Sequence, residues 1–151
     1  MDKKKISIIT VTKNSEKFLE ENILSVFNQT YKNYEHIIID GDSEDNTKNI
    51  IKKHIDKINY FISEPDKGLY YAMNKGIEKA TGEIIGILNS DDIYFPDALK
   101  IVNKYFVGDK NLDFLFGSVY KHKLLHGYNP KRIKWTFGFY TTHSVGFFIK
   151  K

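Results

Sequence analysis

The sequence predicts an α/β protein: a mostly parallel sheet flanked by helices on both faces. Three observations carry that prediction. Short, mostly apolar, β-branched runs alternate with stretches whose apolar residues recur at helical spacing. The apolar character of the runs implies strands covered on both sides. Each of the first four runs also stops at a polar cluster, as expected where a parallel sheet presents its loops.

The elements follow in order. Ile6 to Thr12 is a β-branched run between polar residues and reads as the first strand. In SEKFLEENILSVFNQT, Phe18, Leu19, Ile23, Val26 and Phe27 share one helical face, with Asn14 or Ser15 as the N-cap. Tyr34 to Ile39 is a second strand ending at Asp40. GDSEDNTKNIIKKHI opens with turn and capping residues, then places Ile50, Ile51 and Ile55 on one helical face. Ile58 to Ile62 is the third strand. GLYYAMNKGIEKATG reads as a helix with Leu69, Met73, Ile77 and Ala80 inward and Gly82 as the residue that ends it. Glu83 to Leu88 is the fourth strand. Pro96 suits the first turn of a helix reaching Phe106, and Asp113 to Tyr120 is a fifth strand. KHKLLHGYNPKRIKW then reads as a basic, exposed loop. SVGFFIK is one more strand, with no helix after it to cover it.

Composition narrows the class. A chain of 151 residues suits one core, and 41% apolar with 28% charged residues is ordinary for a soluble globular protein. The absence of cysteine excludes disulfides and thiolate metal sites. No apolar run approaches the roughly 20 residues of a membrane span. The N-terminal MDKKKISIITVTKN has too short an apolar run for a signal peptide, and Lys13 interrupts it; a cytoplasmic location is the expectation. The net charge of +4 suits an anionic small molecule as well as nucleic acid. The lysine-dense stretch near 121–134 matches no nucleic-acid motif, so no nucleic-acid partner is expected. Oligomeric state is left open.

Ligands of parallel α/β sheets bind beyond the carboxyl ends of the strands. Those ends read Thr10-Val11-Thr12-Lys13-Asn14, Asp40-Gly41-Asp42-Ser43, Ser63-Glu64-Pro65-Asp66-Lys67-Gly68 and Asn89-Ser90-Asp91-Asp92. One rim thus collects Asp40, Asp42, Glu64, Asp66, Asp91 and Asp92 with Lys13 and Lys67. So many carboxylates should repel one another unless a cation relieves them, and Mg²⁺ or Mn²⁺ prefers one or two carboxylates plus substrate phosphates. Helix capping is the competing explanation, strongest at Asp42. Neither GxxxxGK[ST] nor GxGxxG occurs, which counts against a P-loop or dinucleotide-binding domain.

The segments SIITVTKNSEKFLEENILSVFNQTYKNYEHIIIDGDSEDNT and SEPDKGLYYAMNKGIEKATGEIIGILNSDD resemble the family-2 glycosyltransferases of the GT-A fold, over roughly residues 6 to 105. The closest flavour is the bacterial-type enzymes of surface-polysaccharide synthesis. The resemblance implies inverting transfer of a sugar from a nucleotide-diphosphate donor, usually a UDP-sugar, to a saccharide or other hydroxyl acceptor, with Mn²⁺ or Mg²⁺. It implies that Thr10, Val11 and Thr12 line the nucleoside pocket and that Asp40 accepts a hydrogen bond from the base. Asp66, Lys67, Gly68 and Asn74 match the segment that closes over the donor. Asn89, Ser90 and Asp91 match the metal-binding motif, with Asp91 and its neighbour Asp92 as metal ligands and His143 as a late metal or phosphate contact. Two positions depart from the pattern: Asn89 and Tyr71 stand where many relatives carry aspartate.

The same resemblance places the general base beyond this chain, so no catalytic residue is assigned. Residues 1–151 are expected to form one GT-A-type domain lacking its acceptor and base segment, an expectation the bare last strand favours. The alternative is a nucleotide-sugar-binding module without efficient transfer.

Overall fold

The computed structural model describes residues 3–117, 119–121, 123–125 and 146–151. Four strands run parallel: β1 (Ile6–Thr12), β2 (Tyr34–Asp40), β3 (Tyr60–Ser63) and β4 (Ile84–Ile87). β5 (Phe114–Phe116) follows. β6 (Val119–Lys121) and β7 (Lys123–Leu125) pair with each other in a separate small sheet. β8 (Phe147–Lys150) returns to the main sheet, whose order is β3-β2-β1-β4-β8-β5, and lies antiparallel to both neighbours. The mostly parallel α/β architecture is therefore as the sequence predicts.

The helices are α1 (Leu19–Phe27), α2 (Thr47–Lys53), α3 (Leu69–Lys79) and α4 (Ala98–Gly108). On one face, Val26 of α1 and Leu99, Val102 and Phe106 of α4 pack on Ile6, Ile8, Ile84 and Phe148. Leu19 and Ile23 of α1 meet Ile50 and Ile51 of α2 over Ile38. On the other face α3 covers Ile9, Val11, Ile37, Ile39 and Ile85. Burying these aliphatic chains is the main stabilising term, roughly 1.5–3 kcal/mol each.

Several expectations change. The last strand is not bare: β8 sits inside the sheet, and Phe148 enters the α4 core over Gly86 and stacks on Tyr94 with ring centroids 5.6 Å apart. The predicted strand Asp113 to Tyr120 is two strands that join different sheets. Phe18, Phe27 and Ile55 are exposed, and Ile55 belongs to a 3₁₀ turn. Neither Asn14 nor Ser15 caps α1 with its side chain, although the Ser15 carbonyl accepts the N–H groups of Phe18 and Leu19. On α3 the inward stripe is Ala72, Gly76 and Ala80, while Leu69 and Ile77 are exposed. Gly76 is required by contact: a Cβ there would overlap Ile9 of β1. Gly82 does not end the helix in a left-handed turn; it presses on the β1 backbone, where a Cβ would lie 2.8 Å from the Ser7 nitrogen.

At the amino end of the sheet, Glu35 ties three segments together. Its carboxylate accepts from the Ser7 hydroxyl (2.6 Å), the Thr81 N–H (2.6 Å) and the Thr81 hydroxyl (2.8 Å), and pairs with Lys5 at 2.7 Å. Burial alone raises such a carboxyl, but the Lys5, Ser7 and Thr81 hydrogen bonds outweigh it and hold it at about 2.

Candidate functional site

The register levels the strand ends. Thr12 pairs with Asp40 and Asp40 with Ser63, so β1, β2 and β3 finish on one rim. The β1–α1 and β2–α2 loops are then laced together. The Asn14 N–H donates to Ser43 Oγ at 2.8 Å, the Glu44 N–H to Asn14 Oδ1 at 2.9 Å, and the Ser15 N–H to Thr47 Oγ1 at 2.8 Å. Asn14 and Asp42 both adopt left-handed backbone (φ 50° and 59°), a conformation that Asn and Asp tolerate best among side-chain-bearing residues.

Most of the rim carboxylates are engaged within the protein, two of them by lysines. Asp40 is fully buried and accepts from the Ser43 N–H (3.0 Å), the Ser63 hydroxyl (2.6 Å) and the Ser43 hydroxyl. Asp42 pairs with Lys48 at 3.0 Å and Glu64 with Lys75 at 2.7 Å. Asp66 accepts the Gly68 N–H at 2.7 Å and leans over Gly41, whose missing side chain makes room for it. A Cβ on Gly41 would lie 2.9 Å from Asp66 Oδ2 and 3.4 Å from Lys13 Cδ, so three loops converge there. Gly68 itself has φ 121°, where a side chain would be strained.

Asp91 is different. Asn89 to Asp92 form a turn closed by the Asp92 N–H on the Asn89 carbonyl (3.0 Å), and Asp91 is exposed at its tip. Its carboxylate makes no hydrogen bond or ion pair among the described residues. Asp92 is half-buried, and the Asn89 amide nitrogen lies 3.5 Å from its Oδ2. Ser90 is held by Ser15, hydroxyl to hydroxyl at 2.8 Å. The described residues contain no cluster of three or more metal-ligating side chains. One open carboxylate with a second beside it nonetheless suits Mg²⁺ or Mn²⁺ bound largely through a substrate's phosphates.

The expected pocket residues divide. Thr12 is 6% exposed and its hydroxyl has no partner among the described residues. Lys13, Lys67 and Asn74 are exposed, and the Lys67 ammonium sits 5.9 Å from the Tyr71 ring centroid. By contrast Val11 is core beneath α3, and Thr10 and Asp40 have no exposed surface. The polar groups of Thr10 and Asp40 are hydrogen-bonded inside the protein. His143 lies outside the described residues.

A group that sequence reasoning missed is Asn22 on α1. It is fully buried and donates both amide hydrogens to the turn, to the Asn89 and Asp92 carbonyls at 2.8 Å each. A polar residue within the apolar stripe Leu19, Ile23, Val26 was the available signal. Ser25 of α1 and Gln29 just beyond the helix grip the following residues: Ser25 accepts from the Tyr94 N–H, while Gln29 donates to the Phe95 carbonyl and accepts from the Leu99 N–H.

Residues 7–150 match the family model described as Glycosyl transferase family 2. An uncharacterized glycosyltransferase of Methanocaldococcus jannaschii, MJ1057, is 34% identical over 143 residues, covering 89% of this chain and 49% of that protein. The Escherichia coli UDP-Glc:alpha-D-GlcNAc-diphosphoundecaprenol beta-1,3-glucosyltransferase WfgD is 34% identical over 119 residues, covering 78% of this chain and 47% of that one. The chain thus spans about half the length of these curated relatives. Among solved structures, residues 1–349 of S. aureus TarS in complex with UDP superpose with a TM-score of 0.75 at 21% identity, over 97% of this chain and 46% of that one. The same TarS segment with UDP-GlcNAc gives 0.71 at 25% identity, over 87% and 37%. The Pyrobaculum calidifontis mannosyltransferase PcManGT with GDP-Man and Mn²⁺ gives 0.66 at 23% identity, over 72% and 34%, a likeness of fold.

Proposed function

The chain belongs to glycosyl transferase family 2, and on that premise we propose that it binds a nucleoside-diphosphate sugar, a UDP-sugar first, at the carboxyl rim for inverting transfer to a hydroxyl acceptor such as a saccharide. One observation carries the reading. Asp91 presents an uncommitted carboxylate at the tip of a clamped turn, while the other rim aspartates and Glu64 are engaged within the protein.

Asp91, with Asp92 beside it, would hold Mn²⁺ or Mg²⁺. Such an ion supplies Lewis-acid neutralisation of charge on the departing diphosphate. The protein's own groups do the rest. Lys13 and Lys67 offer further positive charge at the rim. The Thr12 hydroxyl is a buried polar group at the strand end with no partner among the described residues. Asp66, anchored on Gly68 in the loop after β3, and Asn74 on α3 would border the donor. A thermal-shift screen of UDP, GDP, CDP and their sugars, with and without Mn²⁺, tests this, because a ligand that binds only the folded state raises the melting temperature. The largest rise is expected from UDP with Mn²⁺; no rise with any nucleotide would refute the reading.

A second reading, in which residues 1–151 taken by themselves bind the donor with little transfer, is favoured by one fact. After Asp113 the sequence contains no Asp or Glu to serve as a base. Loss of a positioned base typically removes roughly 10²–10⁴-fold in rate. Rapid acceptor-dependent transfer by residues 1–151 would exclude it.

A further inference from the structure

The buried chemistry behind the Asp91 turn extends further than Asn22. Asn22 Oδ1 accepts from the Thr10 hydroxyl at 3.2 Å, and the Thr10 oxygen lies 3.0 Å from His36 Nε2. None of the three residues has exposed surface. They sit on three elements, β2, β1 and α1, and end at the two carbonyls that bound the turn.

The direction of every proton in this chain is determined. Two carbonyls can only accept, so the Asn22 amide nitrogen must face them and its oxygen must face Thr10. A hydroxyl has one proton, and Thr10 gives it to Asn22. The Thr10 oxygen must therefore accept from His36, which places the ring proton on Nε2. His36 Nδ1 has no partner among the described residues, consistent with a bare lone pair. Burial disfavours the imidazolium and holds the ring neutral, at about 3.

We propose that His36, Thr10 and Asn22 form a one-way hydrogen-bond relay that positions the Asp91 turn for the metal-bound diphosphate, with His36 and Thr10 acting as positioning residues through Asn22. The inference rests on the donor-site reading above. The relay sets the amide orientation of Asn22. A reversed amide would aim Oδ1 at two carbonyl oxygens, and the neck of the turn would open. Outer partners of this kind typically alter metal-site affinity by roughly 10–100-fold when removed.

The test pairs isosteric variants. Thr10→Val keeps the shape and removes the hydroxyl; Thr10→Ser keeps the hydroxyl. His36→Gln can place a donor near the Nε2 position, whereas His36→Asn cannot reach it. Calorimetry of UDP with Mn²⁺ is expected to show about tenfold or greater weakening for Thr10→Val and His36→Asn, with Thr10→Ser and His36→Gln much nearer wild type. Melting temperatures confirm that each variant is folded, and Thr10→Ser serves as the folded reference if Thr10→Val is not. Equal affinity of the Val and Ser variants, or of the Gln and Asn variants, would overturn the relay. Amide hydrogen exchange at Ser90, Asp91 and Asp92 without ligand gives a separate readout: faster exchange in Thr10→Val than in Thr10→Ser supports the relay, and identical exchange contradicts it. If wild-type protein does not bind UDP, the donor reading fails while the exchange data still judge the relay.

Discussion

Replacing Glu35 by Gln removes one charge from the amino end of the sheet, far from the proposed donor rim. In the folded state the carboxylate accepts three hydrogen bonds and pairs with Lys5, which lowers its pKa from 4.5 to about 2. At about 1.4 kcal/mol per pKa unit, that difference is an upper bound near 3 kcal/mol. The Lys5 side chain is 40% exposed, so water screens part of the interaction, and about 2 kcal/mol is the expected effect. The sign follows from the lowered pKa. The contribution is whole above about pH 4.5, where the unfolded chain is also ionised, and disappears as pH falls through 2. Urea unfolding of wild type and Glu35→Gln should differ by about 2 kcal/mol at pH 7 and by less than half of that at pH 3. UDP affinity at pH 7 should stay the same. An equal difference at both pH values, or none at pH 7, would refute the role assigned to Glu35.

Three further outcomes are expected. Gly76→Ala should lower the melting temperature by crowding Ile9, at a cost of about 1–3 kcal/mol, although helix propensity alone predicts a gain; a rise on thermal melting would contradict the contact. Asp40→Asn should weaken UDP and CDP binding alike, because the residue organises the rim through Ser43 and Ser63 and has no exposed surface to meet a base; selective loss of UDP in calorimetry would restore the base-reading role. Gly41→Ala should displace Asp66 from Gly68 and cut UDP affinity severalfold while costing less than about 1 kcal/mol of stability, since a flexible side chain can move aside; unchanged affinity would remove Asp66 from the site.

Much of the fold was legible because Ile6–Thr12 is rich in β-branched residues and Tyr34–Asp40 carries the run Ile37-Ile38-Ile39, each with a polar end. Neighbour relations were not. Nothing local in FFIK tells that this strand inserts between β4 and β5 and turns Phe148 under α4. The inward face of α3 escaped periodicity because small residues carry it: Ala72 and Gly76 gain their place by close approach to β1, while the larger Leu69 and Ile77 stay out. At the site, the polar strand ends were visible but their partners were not. Ser43 and Ser63 hydrogen-bond Asp40, and Lys48 and Lys75 pair with Asp42 and Glu64, through contacts that no spacing reveals. Asp91 could be read from the sequence as part of a polar strand end, and the structure leaves it exposed at the tip of its turn.

The proposed diphosphate site depends most directly on Asp91, and calorimetry of UDP tests it in one series. Wild-type protein is titrated with Mn²⁺ present, then with EDTA, and Asp91→Ala is titrated with Mn²⁺. Binding is expected in the first case and should weaken by tenfold or more in the other two, in line with the roughly 10–100-fold range for perturbed metal sites. Equal affinity in all three would contradict a metal-bound diphosphate at this turn.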